Sequence, residues 1–276
     1  MPLPAPAGGP GMNKRDFLKG MILFFPAGGL LEMAANAAAK ETAATDAAGA
    51  QPAAKGAPAA SAYNGDKHYY GMGIEIDKCI GCSRCVEACK AENDVPQEPF
   101  YFRTWIERYV ITKDHGVIVE SINVKGKAAK ETPQEDRDVI RTFFVPKLCN
   151  HCIHPPCVQV CPVGATFSTK DGVVLVDSER CVGCRYCIQA CPYGARYLHP
   201  KTRTADKCNF CYHRVVKGLL PACVEVCPTQ ARIFGDLKSK ASRLTRFYRM
   251  NKIHVLKPAL NTEPKVYYAG LDGEVR

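Results

Sequence analysis

Residues 181–192 read Cys181-Val182-Gly183-Cys184-Arg185-Tyr186-Cys187-Ile188-Gln189-Ala190-Cys191-Pro192. Four cysteines fall here at spacings of two, two and three residues, and a proline follows the last. The frame recurs three more times. Cys79-x2-Cys82-x2-Cys85-x3-Cys89 keeps the spacing, with Lys90 where the proline stands elsewhere. Cys149-x2-Cys152-x4-Cys157-x3-Cys161 and Cys208-x2-Cys211-x11-Cys223-x3-Cys227 stretch the middle and keep the final proline. These four groups take all sixteen cysteines of the 276-residue chain.

The spacing has a chemical reason. C-x2-C-x2-C-x3-C-P is the frame that holds a 4Fe–4S cluster, with the fourth thiolate ligating a second cluster. Two intervening residues let a tight loop wrap one corner of an iron–sulfur cube with three soft thiolates. The next three residues carry the chain away, and proline redirects it because it cannot continue a helix interior. Four groups imply four 4Fe–4S clusters, and a row of clusters is a path for electrons.

Three other uses of cysteine fit less well. Structural zinc takes two C-x2-C pairs and has no need of a third cysteine at x2 or of a repeated Cys-Pro. Disulfide scaffolds are denser in cysteine, above ~8%. A c-type haem needs C-x-x-C-H, and Cys208-Asn209-Phe210-Cys211-Tyr212-His213 misses it by one residue.

The formal charge is +10. Four anionic clusters offset most of it, and no basic stripe interleaved with aromatics appears, so nucleic acid is not an expected partner. No nucleophile–base arrangement, phosphate-binding glycine loop or histidine pattern for a catalytic metal is present, and a non-catalytic role is expected.

The N-terminus reads as an export signal over residues 1–39. Asn13-Lys14-Arg15-Asp16-Phe17-Leu18-Lys19 is a twin-arginine-like motif with lysine in the first position. The apolar stretch Met21 to Leu31 is too short for a span of about 20 residues, and Ala37-Ala38-Ala39 offers a cleavage site. Met12 is an alternative start. Export of a folded, loaded protein agrees with the cysteine pattern, and a periplasmic location is expected. Residues 40–68, rich in Ala, Gly and Pro, read as a disordered linker.

The body begins with the alternating strand Gly71 to Ile76. Val163-Gly164-Ala165-Thr166-Phe167, Tyr193-Gly194-Ala195-Arg196-Tyr197 and Thr229-Gln230-Ala231-Arg232-Ile233 each follow a Cys-Pro, with alanine at one offset. Val173 to Asp177 resembles Ile74 to Asp77, and each precedes a cysteine loop. The repeating unit is strand, cysteine loop, short helix, Cys-Pro, strand. Fifty-nine residues without cysteine separate the first two groups. Tyr101 to Ile111 and Val117 to Val124 read as paired strands around a turn at Lys113 to Gly116. A charged loop, Lys125 to Asp138, follows, and Ile140 to Val145 leads into the second group; the whole reads as a small β insertion. Ser242 to Asn251 reads as a short helix carrying Arg243, Arg246 and Arg249, a basic face or a docking surface. Lys257 to Tyr268, broken by prolines, reads as an extended arm lying on its own chain or another.

Arg84 and Arg185 lie inside cluster loops, where positive charge favours a reduced, more negative cluster. His151 and His154 lie in the second loop. Four thiolates are already present there, so supporting or surface roles are expected for them rather than ligation.

The chain resembles the four-cluster iron–sulfur β subunits that accompany molybdopterin oxidoreductases and NrfD-type membrane quinone proteins, a group with tetrathionate reductase, polysulfide reductase, NrfC and DsrO branches. Leu148-Cys149-Asn150-His151-Cys152, Pro155-Pro156-Cys157-Val158-Gln159-Val160-Cys161-Pro162 and Arg180 to Cys187 carry the likeness. So do Ala205-Asp206-Lys207-Cys208 and Gly218 to Pro228. The resemblance implies an α+β fold of two pseudo-symmetric dicluster-ferredoxin-like halves, with a β-hairpin insertion and an extended C-terminal arm. The first half takes residues 69–89 with 198–235, the insertion 90–145, the second half 146–197, and a docking tail 236–276. Spacing alone leaves the pairing of groups open; the resemblance implies first with fourth and second with third. It thereby implies four ligand sets: Cys79, Cys82, Cys85 and Cys227; Cys208, Cys211, Cys223 and Cys89; Cys149, Cys152, Cys157 and Cys191; Cys181, Cys184, Cys187 and Cys161. Its implied function is an exported subunit relaying electrons in anaerobic respiration. The implied partners are an NrfD-type integral membrane quinone-binding subunit and a molybdopterin catalytic subunit or multihaem cytochrome c. A free polyferredoxin and a zinc-stabilised interaction module are the alternatives.

Overall fold

The computed structural model describes residues 63–98, 100–114, 116–122, 139–271, 273 and 275. The export segment 1–39, the linker up to residue 62 and the charged loop 125–138 lie outside the described residues. All described residues belong to the unit Gly56–Arg276. In chain order the regular elements are β1 (Tyr70–Glu75), α1 (Arg84–Glu92), β2 (Thr104–Thr112), β3 (Val117–Ile122), β4 (Val139–Leu148), α2 (Pro156–Gln159), β5 (Thr166–Ser168), β6 (Val174–Val176) and α3 (Tyr186–Gln189). There follow β7 (Arg196–Leu198), β8 (Ala205–Lys207), α4 (Tyr212–Val215), α5 (Ala222–Glu225), β9 (Arg232–Asp236), α6 (Arg243–Met250), β10 (Ile253–His254) and β11 (Val266–Ala269). The mixture of short helices and small sheets is the expected α+β class.

Each cysteine group builds the same local form. Its third cysteine lies on a short helix: Cys85 on α1, Cys157 on α2, Cys187 on α3 and Cys223 on α5. In α2, α3 and α5 the helix lasts 4 residues and stops before Cys-Pro, since proline has no N–H for a further turn. α1 has Lys90 instead and runs for 9 residues. The Lys90 side chain is buried. Its ammonium donates to the carbonyls of Pro96 (2.8 Å) and Glu98 (3.2 Å) and sits 4.5 Å from the Phe102 ring centroid. The departure from Cys-Pro thus lengthens one helix and uses lysine to fasten the loop beyond it.

Strand pairing joins distant groups. β1 is antiparallel to β9 (Tyr70 opposite Asp236, Ile74 opposite Arg232), and α1 packs on α5. This brings the first and fourth groups together, while α2 packs on α3 and brings the second and third together. The halves are unequal. A four-stranded sheet, β10-β11-β1-β9, serves the first, whereas two-stranded ribbons β5–β6 and β7–β8 serve the second. Met72 and Ile74 of β1 are fully buried in the main core, and Gly71 and Gly73, alternating with them, leave room for Leu244 and Phe247 of α6. A Cβ on Gly73 would lie 2.6 Å from the Phe247 ring.

Two expectations are corrected, and one open alternative is decided. The insertion is not a bare hairpin but a three-stranded sheet, β3-β2-β4. β4 runs to Leu148, past the expected boundary at 145, because Phe143, Val145 and Leu148 are core residues that carry the strand to the edge of the second group. The C-terminal arm, expected to lie on its own chain or another, lies on its own. β11 lies between β10 and β1, parallel to β1, with Val266 and Tyr268 fully buried. Ahead of it, Glu263 and Thr262 accept from the N–H groups of Ile153 and His154, and the Lys265 N–H donates to the Asn150 carbonyl at 2.9 Å. The tail therefore braces the second cysteine loop. Finally, residues 63–68 of the expected linker are anchored. Tyr63 donates to Asp171 and stacks on His68 (5.5 Å), and His68 stacks on Tyr70 (5.4 Å). Two aromatic rings at the end of an otherwise apolar-poor stretch suffice to hold it down.

Gly183, inside the third loop, has φ +69°, and a Cβ there would collide with the Arg203 carbonyl oxygen. Gly164 has φ +65° with nothing within 4 Å. Backbone strain alone is worth about 1–3 kcal/mol. Gly183→Ala is expected to lower the midpoint for thermal loss of visible cluster absorbance well beyond Gly164→Ala. Equal effects would show that the carbonyl moves aside freely.

Candidate metal centres

Many of the thiols lie close enough to influence one another's ionisation. Burial pushes the Cys89 thiol well up, and Cys208, Cys223 and Cys211 add to the rise. Burial raises Cys79, with Cys85 and Cys227 adding to it. Burial takes Cys152 up to about 12, reinforced by Cys149, Cys157 and Cys191. Cys181 and Cys187 share a smaller apolar cluster with Cys157. Influence also crosses between these gatherings. Cys223, raised to about 11 chiefly by burial, is also influenced by Cys85, and Cys208 by Cys149. Fourteen of the sixteen thiols are buried or half-buried; Cys82 and Cys184 are exposed.

The repeated segment after Cys-Pro gains a physical meaning here. Burial opposes ionisation of Cys161, but the N–H groups of Thr166, Val163, Ala165 and Gly164 hold it below the usual thiol range. Cys227 is held down likewise, against its burial, by the N–H groups of Arg232, Ala231 and Thr229 and by the Thr229 hydroxyl. Such donors favour thiolate over thiol, the form a metal takes. Other sulfur donors are the Phe210 N–H to Cys208 (3.4 Å), the Ala205 N–H to Cys181 (3.4 Å), and the Asn93 amide to Cys211 (3.5 Å) and Cys89 (3.7 Å). Arg103 orients that amide by donating to its oxygen at 2.9 Å, and is itself held by Asp206.

Four cations lie buried among the thiols. Arg196 donates to the Cys157 sulfur at 3.0 Å and to the Thr166 hydroxyl at 3.2 Å. Arg232 donates to the Cys223 sulfur at 3.9 Å and to the Thr104 hydroxyl at 2.8 Å. The Lys207 ammonium donates to the carbonyls of Val174 and Cys208. Lys265 donates to the Gly172 carbonyl; burial lowers its ammonium to about 8, against the pull of Cys152 and Cys149. The sequence singled out Arg84 and Arg185 instead. Both are exposed, and neither bonds a sulfur among the described residues. The missed signal is a register: Arg196 and Arg232 each stand five residues after the last cysteine of a group.

His151 is fully buried, its ring 3.7 Å from that of Phe210, with Nδ1 accepting from the Val174 N–H at 3.0 Å. Burial, with Lys207, Lys265 and Arg196 nearby, keeps it neutral. His154 faces solvent beside Glu263 at 3.5 Å. Both placements fit supporting or surface roles.

Sixteen thiols with buried cations and N–H donors suit an anionic sulfur-ligated cluster. Among the described residues no three His, Cys, Asp or Glu side chains converge as a single metal ion requires. Four thiolates at Zn–S bond length would stand only about 3.8 Å apart.

Comparison with known proteins agrees. Two family profiles, both described as 4Fe-4S dicluster domain, match residues 78–165 and 140–237. Two dicluster domains and sixteen cysteines account for four 4Fe–4S clusters. The chain is 47% identical over 208 residues to a tetrathionate reductase subunit of Salmonella typhimurium, covering 75% of this chain and 74% of that protein. It is 40% identical over 200 residues to protein NrfC of Escherichia coli (72% and 79% covered). It is 33% identical over 251 residues to the Hdr-like menaquinol oxidoreductase iron–sulfur subunit 1 of Archaeoglobus fulgidus (76% and 86% covered). The chain therefore belongs to the 4Fe–4S dicluster family of electron-transfer iron–sulfur subunits of reductase complexes, the family that includes NrfC and its tetrathionate reductase counterpart.

Proposed function

We propose that this protein relays single electrons along a line of four clusters, between a membrane quinone-reactive subunit of NrfD type and a molybdopterin catalytic subunit or multihaem cytochrome c. The observation that carries the reading is a succession of electrostatic neighbours among the thiols: Cys79 with Cys85, Cys85 with Cys223, Cys223 with Cys208 and Cys208 with Cys149, while the exposed cysteines, Cys82 and Cys184, stand in the two outer groups. The ligand sets are Cys79, Cys82, Cys85 and Cys227; Cys208, Cys211, Cys223 and Cys89; Cys149, Cys152, Cys157 and Cys191; Cys181, Cys184, Cys187 and Cys161. When bound, such clusters supply one-electron carriers whose potentials follow their charge, hydrogen bonds to sulfur and exposure.

The chain's own residues do the rest. N–H groups after Cys161-Pro162 and Cys227-Pro228 hold thiolates, buried side chains keep water from the inner sets, and the two exposed cysteines mark where electrons enter and leave. Residues 1–39 direct twin-arginine-type export, placing the protein in the periplasm beside its membrane partner. The names of the relatives support partners of this kind, since one is a subunit of tetrathionate reductase and another of a menaquinol oxidoreductase.

Affinity purification of the full chain from mildly solubilised membranes tests the reading. A polytopic membrane protein and a molybdopterin or cytochrome partner should co-purify. Recovery of the loaded chain alone from the soluble fraction would favour a free polyferredoxin.

A further inference from the structure

Arg196, Arg232 and Lys207 are buried to 5%, 3% and 2% exposure. None of the three pairs with a carboxylate among the described residues; their partners are carbonyls, hydroxyls and sulfur. Arg196 and Lys207 are moreover direct cross-strand neighbours on β7 and β8. Two like charges placed opposite each other destabilise a sheet, and a buried charge without a partner destabilises a fold strongly. The arrangement calls for negative charge that the side chains alone do not provide.

Hydrogen bonds fix one neighbour of each cation: Arg232 donates to the Cys223 sulfur, Arg196 to the Cys157 sulfur and Lys207 to the Cys208 carbonyl, with Lys207 opposite Arg196 across the ribbon. The thiols near enough to act on each cation's charge include members of a second group as well: Cys85 and Cys79 for Arg232, Cys149 and Cys157 for Lys207, and Cys187 for Arg196. On the ligand sets of the proposed function, on which this inference rests, each gap between successive sets holds one cation. We propose that Arg232, Lys207 and Arg196 are gap counter-charges, positioning residues that raise the reduction potentials of the clusters on either side of them. Adding an electron to a cluster makes it one unit more negative. A neighbouring cation favours that step, and a cation between two clusters weakens the repulsion each reduced cluster exerts on the next.

The local build repeats. Arg196 and Arg232 open β7 and β9 at the fifth residue after Cys191 and Cys227, where the chain leaves its N–H turn. The same offset after Cys161 gives Thr166, which accepts from Arg196, and after Cys89 gives Asp94. The register thus supplies one arginine per half, and Lys207, beside Cys208, fills the gap between halves.

The test is an EPR-monitored redox titration of anaerobically purified, iron-replete full-length protein. Arg196→Gln should make two of the four clusters about tenfold harder to reduce, about 59 mV for a one-electron couple. Arg196→Lys, which keeps the charge, should hold both within about threefold. Lys207→Met should shift the potentials of the two inner clusters, and Arg232→Gln those of the pair at the other end. Neutral variants that carry about sixteen iron atoms with unshifted potentials, a uniform shift of all four, or an Arg196→Lys shift as large as that of Arg196→Gln would overturn the proposal. If a neutral arginine variant fails to load, the corresponding lysine variant decides: potentials held support the proposal, and potentials lowered tenfold overturn it. Unsubstituted protein without clusters would instead overturn the relay reading.

Discussion

Cys223→Ser will remove about four of roughly sixteen iron atoms and interrupt the line of clusters at its second member. Cys223 is buried on α5, raised by that burial and influenced by both Cys85 and Cys211, so it stands where two thiol sets meet. The missing thiolate also leaves Arg232 without its sulfur acceptor. Reduced protein should therefore lose the magnetic coupling between clusters on either side of the break, and dithionite-reduced spectra should sharpen. Cys82→Ser, at an exposed position, should affect only the terminal cluster and leave the coupling among the other three. Iron analysis and EPR of the two variants check both statements. A Cys223→Ser protein with full iron and unchanged coupling would mean that its thiolate is not a ligand.

Tyr268→Ala will cost about 3–5 kcal/mol, the range for deleting a large buried aromatic side chain. The ring is fully buried in the main core, and its hydroxyl donates to the Pro146 carbonyl at 3.0 Å, tying β11 to β4. Tyr268→Phe removes only that hydrogen bond and should cost about 1 kcal/mol, or more if the carbonyl stays unpaired. Thermal melts followed by visible absorbance and by circular dichroism separate the two. If Tyr268→Ala melted like the unsubstituted protein, the tail would not be part of the core.

That tail shows where the sequence stops being legible. Lys257 to Lys265 carries two prolines and no alternation, so it reads as an arm. Its strand is parallel to one almost two hundred residues earlier, a pairing with no local signature. Local signals fared better. The hairpin turn at Lys113 to Gly116 joins β2 and β3 where the pattern placed it, and α6 starts at the capping Ser242. The cysteine frame alone told the cofactor, because no other common metal uses that spacing. The buried cations were hidden by the ordinary rule that lysine and arginine face water. Lys207 and Lys265 break it beside thiolates. Only the offset of Arg196 and Arg232 from Cys-Pro betrayed the arginines, and the eye goes first to charges inside the loops, such as Arg185.

Metal and sulfide analysis of the full chain, expressed under anaerobic, iron-replete conditions and never exposed to air, tests the central claim most directly. The account predicts roughly sixteen iron and sixteen acid-labile sulfide per chain, with brown colour bleached by dithionite. A colourless protein holding zinc at two or more sites, without sulfide and without a paramagnetic signal on reduction, would contradict it.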